Sequence, residues 1–175
     1  MTLLFHIAAI ILVVAIIGVY LSWRAGRLDR LHTRVDAART ALDLALVRRS
    51  SSAYELASSG LLDPATSLLL ADAVSGTKDG DRPRDLAESD LTRALRATLS
   101  QPEFRSSLEE EDGGQELVAE VEAAAHQVFL ARKFYNDVAA RTNDARRRPL
   151  ARLLRLAGNA PPPAFFEMDD ALTEQ

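Results

Sequence analysis

From Leu3 to Leu21 the chain runs nineteen residues without a formal charge, and arginines follow at once. As a helix rising about 1.5 Å per residue, such a run covers about 28 Å, close to the hydrocarbon thickness of a bilayer. A secretory signal peptide has a basic start, a shorter apolar core and a small-residue cleavage site. Here the amino terminus and His6, within the run itself, are the only basic groups at that end, and Ser22-Trp23-Arg24 is a poor cleavage context. The segment reads as a retained membrane anchor. Arg24, Arg27, Arg30, Arg34 and Arg39 all follow within twenty residues. Lys and Arg close to a span stay cytoplasmic, so the N-terminus is expected outside and residues 24–175 inside. Tyr20 and Trp23 stand where amphipathic rings settle at headgroup level, and with Arg24 and Arg27 they form the expected membrane interface.

About 150 residues remain beyond the anchor, enough for one domain with a proper core. They are rich in Ala, Leu and Arg, poor in aromatics, and lack the β-branched runs a sheet requires. The expected class is all-α: a single N-terminal transmembrane helix running into an antiparallel bundle of long helices. A formal net charge of −4 implies no general affinity for nucleic acid. With no cysteine, disulfides, Cys-ligated zinc, iron–sulfur clusters and thiol catalysis are excluded.

Hydrophobic spacing places the helices. From Arg24 to about Ser58 there is no proline, and Leu28, Leu31, Val35, Ala38, Leu42 and Ala45 recur in steps of three and four. Gly60 ends this helix, and Asp63-Pro64 starts the next as N-cap and first helical residue. The Gly-, Asp- and Pro-dense residues 75–83 predict an exposed loop. Residues 85–99 read as a third helix, with Leu91, Leu95 and Leu99 aligned. Residues 115–147 read as the last long helix, with an inner line of Leu117, Val121, Ala124, Val128, Ala131, Tyr135 and Val138. Leu130 and Phe134 predict a second buried edge on it. The expected organisation is an anchor at 1–23, a bundle at 24–148, and a basic amphipathic segment with a Pro-rich tail at 149–175.

The string ARKFYNDVAARTND at 131–144, followed by Phe165-Phe166-Glu167, resembles the LemA family, whose last long helix carries an AR-x-[FY]-YN signature. The matching residues are Ala131, Arg132, Phe134, Tyr135 and Asn136. LDRLHTRVDAA at 28–38 is similar to the family's segment after its anchor, Arg48-Arg49 to its paired basic residues, and QPEFRSSL at 101–108 to a Tyr-Pro-containing stretch. The resemblance implies a membrane-anchored, all-helical cytoplasmic domain with no established activity or cofactor. Some members lie beside an HtpX-type membrane metalloprotease, and by that neighbourhood alone the resemblance suggests a role in envelope maintenance.

Candidate sites are few. Tyr135 lies on the inner line, where a core role for the ring is the plain expectation, and Asn136 at its edge can brace a neighbour by side-chain hydrogen bonds. Arg132, Phe134, Tyr135, Asn136, Phe165, Phe166 and Glu167 are the expected signature surface for a partner. Glu122 and His126 lie four apart, but no second His joins them on that helix, so no metal is expected. The chain has no P-loop, dinucleotide fingerprint or nucleophile elbow, and its serine runs lack a local His. No catalytic residue and no cofactor are expected. Arg147, Arg148, Arg152 and Arg155 surround Leu150, Leu153 and Leu154, a short basic amphipathic segment suited either to anionic lipid or to capping the bundle. The expected partners are the lipid bilayer, a second copy of the chain and a membrane protein. A non-enzymatic scaffold or adaptor is the first functional expectation, and an accessory or regulator of a membrane protease the second.

Overall fold

The computed structural model describes residues 2–101, 104, 113–149 and 161–172. Among them are four helices and no strand: α1 (Thr2–Ser58), α2 (Pro64–Gly76), α3 (Arg84–Leu99) and α4 (Gly114–Arg147). The all-α expectation holds. α1 is proline-free throughout and stops where Gly60 turns to a positive φ of 85°, a conformation without cost only for a residue lacking Cβ. α2 opens as its sequence requires. Asp63 Oδ1 accepts the amides of Ala65 and Thr66 at 3.0 and 3.1 Å, and Pro64 takes the first helical position, where a missing N–H costs nothing. α3 has no side-chain cap at Pro83; Leu86 N–H donates instead to Asp85 Oδ1 at 3.0 Å.

The chain divides into two compact units, Met1–Ala37 with Asp137–Ala164, and Ala38–Asn136 with Phe165–Gln175. The divisions at 37/38 and 136/137 fall inside α1 and α4, so no Gly- or Pro-rich linker marks them.

The second unit is a helical bundle. Its core joins Ala53, Leu56 and Ala57 of α1, Leu70 and Val74 of α2, Leu91 and Leu95 of α3, and Val121 of α4, with Leu62 and Phe104 from the connections. Arg39 meets Tyr135 while Arg48 meets Glu120, so numbers fall along α4 as they rise along α1, and the two helices are antiparallel. Asp43 meets Arg84 and Arg49 meets Glu88, so α3 runs parallel to α1. The inner line of α4 is largely buried, at Val121, Ala124, Val128 and Tyr135. Its expected second edge is not: Leu130 is exposed and Phe134 is 60% exposed. One row of contacts accommodates α4 here, and the opposite row is left uncovered.

In the first unit, the described side chains from Leu4 to Tyr20 are all exposed. They cover about 25 Å of helix, against a hydrocarbon core about 30 Å thick. Among the described residues no helix is long and apolar enough to cross a membrane.

Candidate functional site

An arginine occupies the middle of the inner line of α1. Ala38, Leu42, Ala45, Leu46, Ala53 and Leu56 are all buried, and so is Arg49 at 1% exposure. A charge inside a core must find its counterpart there. Arg49 Nη2 donates to Glu88 Oε2 at 2.7 Å and to the Glu88 carbonyl at 3.0 Å, and Nη1 donates to Thr92 Oγ1 at 2.7 Å. Glu88 is 2% exposed. Desolvation lowers the pKa of Arg49, opposed by the attraction of Glu88 and, more weakly, of Asp170. Desolvation raises the pKa of Glu88, opposed by Arg49 and Arg84. The contact at 2.7 Å between formal charges opposes both shifts, each charge favouring the ionised form of the other. Further charges continue outward: Arg84 lies 3.8 Å from Glu88 and 2.8 Å from Asp43, and Asp43 lies 3.6 Å from Arg39.

That line of charges ends at an aromatic pair. The Arg39 guanidinium carbon is 5.7 Å from the Tyr135 ring centroid and 5.7 Å from that of Phe166, within cation–π range. Phe166 belongs to a segment without regular secondary structure, residues 165–172, which we call the strap. Its side chains Phe166 and Met168 are buried, and Leu172 packs against the core.

The strap is held mostly through its backbone and its acids. Asn136 Nδ2 donates to the Phe166 carbonyl at 3.1 Å, and Asn136 Oδ1 accepts the Phe166 amide at 2.9 Å. One side-chain amide thus satisfies both polar groups of one strap residue, which an exposed edge would otherwise leave to water. Arg132 pairs with Asp170 at 2.5 Å. Ser89 Oγ accepts the Asp169 amide at 3.0 Å. Arg96 donates to both oxygens of Asp169, at 2.8 and 2.9 Å, and to the Ala171 carbonyl. Burial alone would raise the pKa of Asp169, but the Arg96 hydrogen bond, the Ala171 amide and the Arg96 charge together bring it below the usual range.

The signature residues therefore divide by what they touch. Arg132, Tyr135, Asn136 and Phe166 converge on one joint between α4 and the strap. Phe134, Phe165 and Glu167 point outward. In the first unit the chain just before the strap is held likewise. Asn143 Nδ2 donates to the Pro163 carbonyl at 3.0 Å, and Arg146 reaches the Pro161 carbonyl at 3.3 Å and His32 Nε2 at 3.1 Å. Asn136 and Asn143, seven residues apart on α4, perform the same bond to a carbonyl. The stretch Arg141-Thr142-Asn143 thus carries a second latch residue.

Of the expected membrane-interface residues, Tyr20, Trp23, Arg147 and Arg148 are exposed. The side chains of Arg24 and Arg27, and the whole of Leu150, Arg152, Leu153, Leu154 and Arg155, lie outside the described residues. Glu122 and His126 are exposed, with the His126 ring 6.1 Å from that of Phe129. Among the described residues no group of three or more His, Asp or Glu converges as a metal ion needs.

Spacing alone missed Glu88, Ser89, Arg96, Met168, Asp169 and Asp170. One signal was present: Arg49 falls on the apolar line of α1, seven residues after Leu42, and an arginine buried there needs an acid beside it. Nothing local marked Glu88 as that acid. No protein-family model, no curated protein and no solved structure matches this chain.

Proposed function

We propose that this chain is a LemA-type, non-enzymatic scaffold, anchored by one membrane-spanning helix and presenting its helical bundle to protein partners at the cytoplasmic face. The observation that carries the reading is the fate of the signature. Arg132, Tyr135, Asn136 and Phe166 are committed to holding the strap, and the buried charges Arg49 and Glu88 are committed to each other. An acid–base pair poised for a substrate would need a free proton-accepting atom facing a cleft; these groups face one another instead. The same arrangement leaves apolar side chains uncovered at Leu130, Phe134 and Phe165, the kind of surface a scaffold offers a partner. The exposed apolar helix from Leu4 to Tyr20, followed by arginines, supports the anchor, and the positive-inside rule supports the orientation.

The test uses the absence of native cysteine. In intact cells an Asp81→Cys chain, labelled at its exposed loop, should remain in the carbonate-washed membrane fraction. It should react with a membrane-impermeant thiol reagent only after lysis. Release by carbonate removes the anchor, and labelling before lysis reverses the orientation. Cross-linking in native membranes then separates partners: self-links alone support a self-associating scaffold, while enrichment of a membrane metalloprotease supports the accessory role.

A further inference from the structure

Within the first unit, α1 carries one line in steps of three and four: Val19, Trp23, Gly26, Arg30 and Arg34. Across from it stand Arg141 and Asp144 of α4 and Arg148 just past its C-terminal end, and the two lines wall a cleft of about 960 Å³. The chemistry is graded along the cleft. Val19 is apolar, Trp23 is an amphipathic ring, Gly26 adds no side chain, and beyond it four guanidiniums face a single carboxylate, Asp144. Arg141 is already paired with Asp137 at 3.0 Å. Arg30, Arg34 and Arg148 make no ion pair or hydrogen bond among the described residues. Two like charges four apart on a helix repel, so Arg30 and Arg34 sit at a cost that an anion between them would offset. Guanidinium forks match phosphate oxygens in pairs. At the other end, an open apolar hollow along one face of α1, formed by the exposed Ala15, Ile16, Val19, Tyr20 and Trp23, adjoins the cleft and shares Val19 and Trp23 with it.

We propose that this cleft binds the headgroup of an anionic phospholipid. Arg30, Arg34 and Arg148 clamp the phosphate, and an acyl chain lies along the apolar hollow beyond Trp23. A free phosphate would use the cationic end alone; only an amphiphile uses both ends, and an anionic one leaves no cationic headgroup among the arginines. Basic pockets at the cytoplasmic end of membrane helices recognise headgroups by this chemistry. The proposal rests on the membrane reading for its source of ligand.

Trp23 is the only tryptophan in the chain and lines both cavities, so its emission reports the site directly. The full chain in a nonionic detergent is titrated with dihexanoyl phosphatidylglycerol, dihexanoyl phosphatidylcholine and inorganic phosphate. Phosphatidylglycerol should give a saturable shift of Trp23 emission at least tenfold tighter than phosphatidylcholine, and phosphate should give none at millimolar concentration. Arg34→Gln with Arg148→Gln should weaken phosphatidylglycerol at least tenfold. Gly26→Leu should do the same by filling the cleft; a Cβ placed there meets nothing within 4 Å, so the helix tolerates it. Equal binding of the two lipids, phosphate binding as tight as phosphatidylglycerol, or variants that bind as the parent does would each overturn the proposal. The carbonate wash separates the two ideas. A washable chain still selective for phosphatidylglycerol in detergent keeps the site and loses the anchor, whereas a membrane-held chain without selectivity loses the site alone.

Discussion

Arg49 stands where the inner line of α1 otherwise carries alanine and leucine, and its burial is tolerated because Glu88 and Thr92 receive the donors of Nη1 and Nη2, Nε alone finding no partner among the described residues. Removing one partner of a buried pair strands the other charge, at a cost of about 3–5 kcal/mol, whereas replacing both with apolar residues of similar volume is often neutral. Arg49→Met should therefore lower the thermal midpoint of the full chain sharply by circular dichroism. Adding Glu88→Leu to it should recover most of the loss. If the double variant is no more stable than the single, the pair's weight lies in other contacts. Asn136 works on a smaller scale, with two hydrogen bonds to one strap residue. Asn136→Ala should cost about 1–3 kcal/mol and speed exchange of the Phe166 amide by roughly ten- to a hundredfold. Phe134→Ala, with its ring in solvent, should change stability by no more than about 0.5 kcal/mol. Equal effects of the two changes would mean that the strap does not depend on Asn136.

At the scale of the element, the strap has no regular secondary structure of its own, so its order comes entirely from what it touches. Two of its contacts are between acids and arginines, Asp169 with Arg96 and Asp170 with Arg132. Folded Asp169 binds its proton less readily than a free aspartate does. Its contribution is therefore complete above the ordinary aspartate pKa, about 3.9, and is lost as pH falls through the lower folded value. Acid should loosen the strap below about pH 4, seen as movement of the Phe166 amide resonance toward its position in an unfolded peptide. Glu88 works the other way, since its raised pKa makes protonation favour the folded state in acid. Asp169→Asn removes the strap's acid sensitivity without touching Glu88, so a strap that still loosens at the same pH in that variant would clear Asp169 of the role.

Across the whole molecule, the sequence by itself determined the helices and their order. Each helix is specified by local physics: proline-free apolar periodicity in α1 and α4, and the Asp63-Pro64 start of α2, which needs only neighbours a few residues away. The class and the inner lines of α1 and α4 were legible for that reason. That the second apolar row on α4 stays uncovered was not legible, because Leu130 and Phe134 have the same spacing as buried residues and differ only in having nothing packed on them. Nor did composition mark the division inside α1 and α4, which lies in uninterrupted helix. The joint of the strap was the least legible part. Asn136 and Phe166 lie thirty residues apart, Arg96 and Asp169 seventy-three, and Arg49 and Glu88 thirty-nine. Periodicity says which side of a helix faces inward; it is silent on which distant acid meets a buried arginine, because that pairing exists only once the chain has closed on itself.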